Sequence, residues 1–337
     1  DPQQYHQLLR YIDPKKCVVN VISKSGSTTE TAAAYAFFKT YFSEKLGQDW
    51  TKHFVFTTDQ KEGILRAEAD KLGIITLPVP DDVGGRFSVL SAVGLFPALA
   101  MGINVTELLT GAKQLVDNLS KDPNQNPAWQ IALSQYLFQK EKGINTVVLM
   151  PYIWRMELFA NWFRQLWAES LGKEGRGVLP IKAVGPADQH SQVQFYNQGK
   201  WLNTFLFITA KNYQHDSEIS ISDTPELAYL DKTKLSTIIK AECEATRYSL
   251  ANNDRPSACI EIEQLDTKHL GALILFFELS VVYFGALLEI NPFDQPGVEF
   301  GKQYMYGLLG RKGFEDKAKE IEKKKQSISK NVINFSF

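Results

Sequence analysis

The stretch CVVNVISKSGSTTETAAAYAFF, residues 17–38, decides the fold class. An apolar run at 18–23 predicts a strand, a hydroxyl-rich turn follows it, and a helical pattern covers 28–46. This strand–turn–helix unit recurs along the chain, which predicts an α/β fold with parallel sheets flanked by helices. Further strands are predicted at 53–57, 74–79, 146–151, 181–184, 202–209 and 259–264. Further helices are predicted at 61–72, 89–101, 105–119, 129–142, 155–171, 235–252, 269–288 and 297–308.

Size, charge and cysteine content exclude several classes of function. The chain has 337 residues, which suggests about two domains, and the polar, Pro-rich stretch 120–128 predicts a junction between them. A net charge of −1 gives no general attraction to nucleic acid or to an anionic membrane. The three scattered cysteines form neither a disulfide framework nor a zinc site, and they suit a cytoplasmic protein.

One apolar segment, residues 270–290, is long enough to span a membrane. Glu278 lies at its centre, and no cluster of Lys and Arg follows it. We therefore predict a helix buried in a large core and no membrane association. The charged segment 314–326 predicts a solvated C-terminal helix.

The turn SKSGSTTET, residues 23–31, is the first candidate site. Ser27 and Glu30 match a capping box, so Ser27 is expected to cap the following helix, and Gly26 eases a tight turn. Six hydroxyls exceed what capping needs, and a helix N-terminus after a parallel strand suits a phosphate group. The residues alone favour phosphate binding and plain capping about equally.

A glycine pair followed by an arginine forms the second candidate site. Gly84 and Gly85 allow unusual backbone angles and a close approach, and the fork of Arg86 suits an oxyanion. The alternative is an ordinary ion pair between Arg86 and Asp81 or Asp82.

Two further turns carry groups able to move protons. Glu169 ends a helix rich in aromatic residues, so a partly desolvated carboxylate could act there as a general base. The alternative is a surface pair between Glu169 and Lys173, one turn later. His190, in the turn DQHSQ, could shuttle protons or simply form local hydrogen bonds.

The segment NPFDQPGVEFGKQ, residues 291–303, is the last candidate. Asp294 is expected to cap the following helix. Gln295 and Lys302 are seven residues apart and are therefore expected to share a helix face. Such a face could hold a polar ligand, although unrelated residues of these types more often face solvent.

Taken together and in this order, five motifs resemble the phosphoglucose isomerase family. They are SKSGSTTET, VGGRFSVLSAVGL, ESLGK, DQHSQ and FDQPGVEFGK, and the similarity runs from about residue 15 to residue 310. The resemblance implies two sugar-isomerase (SIS) domains, each a parallel sheet flanked by helices. It implies the C-terminal part of a first SIS domain at 1–120, a second SIS domain at 129–290, and a C-terminal helical segment at 291–337 that completes the active site. The family's upstream glycine-rich loop has no counterpart here, so we expect a chain that lacks an N-terminal portion.

The resemblance also implies a reaction, the reversible conversion of glucose 6-phosphate to fructose 6-phosphate through a cis-enediol, in glycolysis and gluconeogenesis. It implies that Glu169 transfers the proton, that Arg86 stabilises the enediolate, and that His190 and Lys302 assist ring opening. The implied partners are a sugar phosphate and a second copy in a homodimer with a shared active site, to which the neighbouring subunit contributes His190. No cofactor and no metal are implied. The implied substrate-binding residues are Ser23, Lys24, Ser25, Thr28, Gly85, Gln165 and Gln295.

Two alternatives remain at this stage. One is a dual isomerase that also accepts mannose 6-phosphate. The other is a non-catalytic SIS module that binds sugar phosphates, which the joint presence of Glu169, His190 and Lys302 disfavours.

Overall fold

The structure is a computed structural model that describes residues 1–327, so 328–337, the end of the predicted segment 291–337, lie outside the described residues. It contains two all-parallel sheets flanked by helices, which confirms the predicted fold class. The strands are β1 (Val19–Ile22), β2 (Phe54–Asp59), β3 (Ile75–Val79), β4 (Thr146–Pro151), β5 (Leu179–Lys182), β6 (Asn203–Ala210) and β7 (Ser257–Ile262). The α-helices are α1 (Pro2–Leu8), α2 (Thr29–Leu46), α3 (Ile64–Leu72), α4 (Ala92–Ala100), α5 (Val105–Asn118), α6 (Pro127–Lys142), α7 (Glu157–Leu171), α8 (Gly185–Asp188), α9 (Val193–Gln198), α10 (Leu235–Ala251), α11 (Thr267–Leu287), α12 (Glu299–Leu308) and α13 (Glu315–Ser327). Short 3-10 helices lie at Pro14–Lys16, Gly47–His53, Gly85–Phe87, Pro123–Gln125, Trp154–Met156, Pro225–Leu230 and Pro296–Val298.

The first sheet has the order β1-β2-β3, and its central strand is almost fully buried. Phe54 and Phe56 on β2 pack with Phe42 of α2 in a core that also holds Trp50. Tyr35 of α2 closes this core edge-on against Phe56, with ring centroids 5.2 Å apart. Burial of these aromatic side chains fixes α2, and therefore its N-terminus, against the end of β1.

The second sheet has the order β5-β4-β6-β7 and carries a separate core on each face. Every residue of β4 is buried, as expected for a central parallel strand. One core lies between the sheet and α5, α6, α7 and α11, and the other lies beneath α9 and α10. The first core is rich in aromatic rings, and Phe163 of α7 lies 5.2 Å from Phe277 of α11, centroid to centroid. This contact fixes the helix that carries Glu169.

Helix α11 is long and apolar enough to cross a membrane, but 56% of its most apolar window is buried inside the protein. Its backbone lies directly against α5, because a Cβ on Gly111 would fall 1.8 Å from the carbonyl oxygen of Lys268. A Cβ on Gly271 would fall 1.9 Å from the carbonyl oxygen of Leu108. The predicted core helix is therefore confirmed. Helix α5 precedes the junction at 120–128, but it packs against α11 and contributes Leu108 to the core of the second sheet. The predicted domain bounds remain a prediction.

The predicted elements occur with shifted ends. Strand β5 begins at Leu179 and β7 at Ser257, two residues before the predicted starts, because their pairing partners on β4 and β6 set the register. Helix α1 was not predicted from the sequence. The charged C-terminal helix is present as α13.

Candidate active site

A cavity of about 980 Å³ opens at the carboxyl edge of the first sheet. Its walls include the last residue of each strand, Ile22 of β1, Asp59 of β2 and Val79 of β3. This edge is where open parallel sheets bind ligands. Seven of the predicted binding residues line it, namely Ser23, Lys24, Ser25, Thr28, Gly85, Gln165 and Gln295.

The turn at 23–28 is held by the neighbouring strand and by its own hydroxyls. Thr58 on β2 donates to the carbonyl oxygens of Ser23 (2.8 Å) and Lys24 (3.1 Å). The N–H of Gly26 donates to Ser23 Oγ at 3.1 Å. Gly26 has φ +68°, and a Cβ there would lie 2.6 Å from the backbone nitrogen of Leu65, so only glycine fits. The predicted tight turn is confirmed.

The predicted capping box is wrong. Thr28, not Ser27, is the N-cap of α2, and it makes no side-chain capping bond. Ser27 instead shares a hydrogen bond of 2.8 Å with Ser25, because the turn brings those two hydroxyls together. The side chain of Thr28 therefore leaves the first N–H groups of α2 uncapped, and Thr28 and Thr31 at this start of the helix line the cavity.

Arg86 is almost fully buried between α7 and the segment 291–295. Its side chain is 1% exposed, and neither Asp81 nor Asp82 accepts from it, so the simple ion pair considered above is absent. Burial lowers the pKa of Arg86, and the nearby carboxylates of Glu169 and Asp294 oppose that shift. A guanidinium stays charged at neutral pH, so Arg86 places a fixed positive charge beside Glu169.

The expectation of unusual backbone angles at the glycine pair is wrong. Gly84 has φ −74° and ψ 155°, which any residue adopts, and Gly85 is not among the residues with positive φ. A Cβ on Gly85 would meet no atom within 4 Å, and Gly85 lines the cavity. The lack of a side chain at Gly85 therefore keeps the cavity open and is not required by the backbone conformation.

Glu169 lies near the C-terminal end of α7, and both of its carboxylate oxygens are held. Oε2 is 3.4 Å from Arg86 Nη1, and Oε1 accepts from Gln165 Nε2 at 3.2 Å. The side chain is 32% exposed. The carboxyl group is thus oriented beside a cation and still accessible to a ligand.

Lys173 does not pair with Glu169. Its ammonium group contacts Asp294 at 2.5 Å and the carbonyl oxygen of Asn291, which anchors segment 291–295 to the end of α7. Hydrogen bonding by Lys173 lowers the pKa of Asp294. The prediction that Asp294 caps the following helix is wrong, because Gln295 is the residue before the 3-10 turn and Val298 is the residue before α12.

Gln295 and Lys302 do not share a helix face, because α12 begins only at Glu299. Gln295 has φ −153° and ψ 67° and reaches Arg86, whereas Lys302 pairs with Glu299 at 2.7 Å. Helix α12 still contacts the first turn, since Tyr306 Oη lies 3.5 Å from the carbonyl oxygen of Ser27.

His190 lies apart from this cavity, on an exposed turn after β5. Its ring nitrogen Nε2 lies 3.4 Å from Gln189 Nε2. A single chain therefore brings together nine of the eleven predicted site residues, since Arg86 and Glu169 bond to Gln295 and Gln165 of the cavity wall. His190 lies outside this region, and Lys302 pairs with Glu299. Within residues 1–327, no group of three or more His, Cys, Asp or Glu side chains is arranged to hold a metal ion.

The model of the family described as phosphoglucose isomerase matches residues 1–323. The chain belongs to the phosphoglucose isomerase family. It is 39% identical over 338 aligned positions to the glucose-6-phosphate isomerase of Carboxydothermus hydrogenoformans, covering 97% of this chain and 72% of that protein. It is 41% identical over 323 positions to the glucose-6-phosphate isomerase of Staphylococcus epidermidis, covering 94% and 72%.

Two solved structures show the same fold. A crystal structure of a glucose-6-phosphate isomerase from Chlamydia trachomatis superposes with a TM-score of 0.79 at 27% identity, covering 92% of this chain and 62% of that one. A hypothetical protein from Thermus thermophilus superposes with a TM-score of 0.87 at 36% identity, covering 92% and 75%. The family resemblance derived from the five motifs is confirmed.

Several contacts of this phosphoglucose isomerase family site were not predicted from the sequence. Ser170 accepts from Arg86 Nε at 2.7 Å, and Trp162 Nε1 donates to the Arg86 carbonyl oxygen at 3.1 Å. Trp162, Gln165 and Glu169 recur at helical spacing along one side of α7, and that pattern is a usable signal. The roles of Ser170 and of the carbonyl acceptors in segment 291–295 cannot be predicted from the types of these residues.

Proposed function

We propose that this chain interconverts glucose 6-phosphate and fructose 6-phosphate by moving one proton between C1 and C2 through an enediolate. The chain's family membership and its glucose-6-phosphate isomerase relatives support this aldose–ketose isomerisation, a step of glycolysis. The observation that carries the residue assignment is the arrangement of the cavity. Hydroxyl groups of the turn at 23–28 line one wall of the cavity. The carboxylate of Glu169 lies beside the buried guanidinium of Arg86, and these two groups bond to Gln165 and Gln295, which also line the cavity.

The phosphate group is assigned to the turn at 23–28. Ser23, Ser25 and Thr28 offer hydroxyl donors, the backbone around Lys24 and the uncapped start of α2 offer N–H groups, and the helix dipole favours an anion. The cavity also contains Asp59, but its carboxylate accepts from the N–H groups of residues 61 and 62. That carboxylate is thus engaged with its own loop.

Proton transfer is assigned to Glu169. Aldose–ketose exchange needs the removal of one α-proton and its return to the neighbouring carbon, so a single carboxylate suffices. Gln165 and Arg86 fix the orientation of the carboxylate, and the side chain remains 32% exposed. Such an arrangement meets the geometric demand on a general base.

Arg86 is assigned the stabilisation of the enediolate. The intermediate carries negative charge on oxygen, and a preorganised cation in a buried site stabilises it strongly. Gln295 contacts Arg86, so the charge and the binding cavity are adjacent.

Ring opening is assigned to Lys302 and to His190 of a second subunit. Helix α12 lies over the first turn through Tyr306, which supports a position for Lys302 near the sugar. His190 is exposed on its turn, where a partner's site could receive it. We therefore propose a homodimer with a shared active site, a cytoplasmic location and a further use in gluconeogenesis. The domain bounds 1–120, 129–290 and 291–337 belong to the same proposal.

The test is turnover of fructose 6-phosphate by the purified chain, coupled to glucose-6-phosphate dehydrogenase. We expect formation of glucose 6-phosphate and little turnover of mannose 6-phosphate. Comparable rates with mannose 6-phosphate would support the dual isomerase instead. Tight binding of fructose 6-phosphate without turnover would support the non-catalytic module.

A further inference from the structure

All five N–H donors of Arg86 already have acceptors in the protein. A guanidinium has one N–H on Nε and two on each Nη nitrogen. The side chain is 1% exposed, which leaves no room for further partners on the buried side. Nε donates to Ser170 Oγ at 2.7 Å. Nη1 donates to Glu169 Oε2 at 3.4 Å and to Gln295 Oε1. Nη2 donates to the carbonyl oxygens of Pro292 (2.7 Å) and Asp294 (2.9 Å).

An oxyanion can accept a hydrogen bond from Arg86 only if one of these acceptors leaves. The acceptors of Nη2 are main-chain carbonyls in a segment that Lys173 also anchors, and Ser170 is fully buried. Losing either would leave a buried polar group unpaired, which is costly. The acceptors of Nη1 are both side chains, and Gln295 lines the cavity where the sugar would lie. Nη1 is therefore the donor that can be released.

Gln295 is the acceptor whose departure leaves the rest of the site intact. Its side chain can turn into the cavity while the carbonyl oxygens of Pro292 and Asp294 keep the segment in place. The ring of Phe293, 5.4 Å from that of Phe87, holds the same segment from the other side. Glu169 must stay, because the proposed chemistry uses its carboxylate.

We propose that Gln295 is a displaceable acceptor that reserves Arg86 Nη1 for the charged intermediate. This proposal rests on the proposed function. The amide oxygen of Gln295 is neutral, as are the carbonyl and hydroxyl oxygens of the ground-state sugar, so those oxygens gain little by replacing it. An enediolate oxygen is charged and forms a hydrogen bond roughly twice as strong, so it displaces Gln295. The exchange makes the contact with Arg86 specific to the intermediate, which is the kind of binding that raises turnover.

Two phosphorylated probes separate this role from simple phosphate contact. A six-carbon alditol phosphate is neutral at C1 and C2, whereas a five-carbon aldonate phosphate places a carboxylate at the enediolate position. The ratio of their dissociation constants, measured by calorimetry, reports the contact with Arg86 and cancels the contribution of the phosphate. The variants are Gln295→Glu, which substitutes a charged acceptor of the same shape, and Gln295→Met, which removes the acceptor without adding charge.

We expect the wild-type chain to prefer the aldonate, and Gln295→Glu to reduce that preference at least tenfold, because the oxyanion must now displace a carboxylate. Gln295→Met should bind the aldonate at least as tightly as the wild type. An equal weakening of both probes by Gln295→Glu would overturn the proposal and place Gln295 at the phosphate alone. Aldonate binding weakened more than tenfold in Gln295→Met would overturn it as well, and this variant decides alone if Gln295→Glu does not fold. Failure of both probes to bind the wild-type chain would instead count against the proposed function.

Discussion

Replacing Glu278 with Gln should change how the stability of the protein depends on pH. Glu278 lies in the middle of α11 and is 9% exposed, and its Oε1 atom has no hydrogen-bond partner. Burial disfavours the ionised carboxylate and raises the pKa of Glu278 to about 8, from an ordinary value of 4.5. The carboxyl group is therefore mostly protonated in the folded state at neutral pH.

The sign of the effect follows from proton linkage. Between pH 4.5 and about 8, the folded chain holds a proton on Glu278 that the unfolded chain releases. The contribution to stability is fully present below pH 4.5 and is lost as pH rises through this window. Each pH unit within the window is worth about 1.4 kcal/mol. The loss is therefore about 2–3 kcal/mol from pH 5 to pH 7 and about 4 kcal/mol from pH 5 to pH 9.

Urea unfolding of the wild type and Glu278→Gln at pH 5, 7 and 9 tests this. The free energy of unfolding of Glu278→Gln, relative to the wild type, should rise by those amounts, because glutamine does not ionise. Glu261→Gln, at an exposed position on β7, gives the background for a Glu-to-Gln change. A difference between Glu278→Gln and the wild type that stays constant from pH 5 to pH 9 would refute the reasoning.

Two substitutions near the site have matched controls elsewhere in the chain. Gly26→Ala should destabilise the protein by more than Gly73→Ala, as measured by chemical unfolding, because both have φ near +67° but only Gly26 would clash with backbone. Gly73 has the left-handed helical conformation, so its change should cost about 1 kcal/mol, and an equal cost at both positions would contradict the clash. Ser170→Ala should lower kcat by roughly tenfold with little change in KM, because Arg86 loses its Nε acceptor at a buried position. The control is Ser280→Ala, which removes an equally buried hydroxyl that bonds within α11. The kcat of this variant should match that of the wild type. An equal loss of kcat in both variants would show that Ser170 contributes only packing.

Local chemistry explains why much of the fold and site was predictable. Apolar runs alternating with amphipathic stretches specify strands and helices over a few residues, so β1, α2 and the intervening turn follow from residues 17–46 alone. The turn's hydroxyls fall at the carboxyl end of a strand, and parallel sheets bind ligands there whatever the rest of the chain does. The location of the cavity could therefore be predicted from the sequence.

Contacts between distant segments explain most of what sequence reasoning missed. Lys173 was expected to pair with Glu169, four residues away, but the fold brings Asp294 to it across 121 residues. The Nη2 atom of Arg86 binds main-chain carbonyls, and residue type does not reveal where a carbonyl points. The predicted shared face of Gln295 and Lys302 failed because the proline at 296 starts a 3-10 turn and delays α12 to Glu299.

Proton transfer by Glu169 is the central claim, and isotope incorporation tests it most directly. Fructose 6-phosphate is incubated with the wild type and with Glu169→Gln in D₂O, and deuterium at C2 of the glucose 6-phosphate formed is measured with the rate. We predict deuterium incorporation by the wild type, and a rate at least ~10²-fold lower in Glu169→Gln with the affinity for the alditol phosphate unchanged. Near-normal turnover and incorporation in Glu169→Gln would contradict the account, because another group would then be moving the proton.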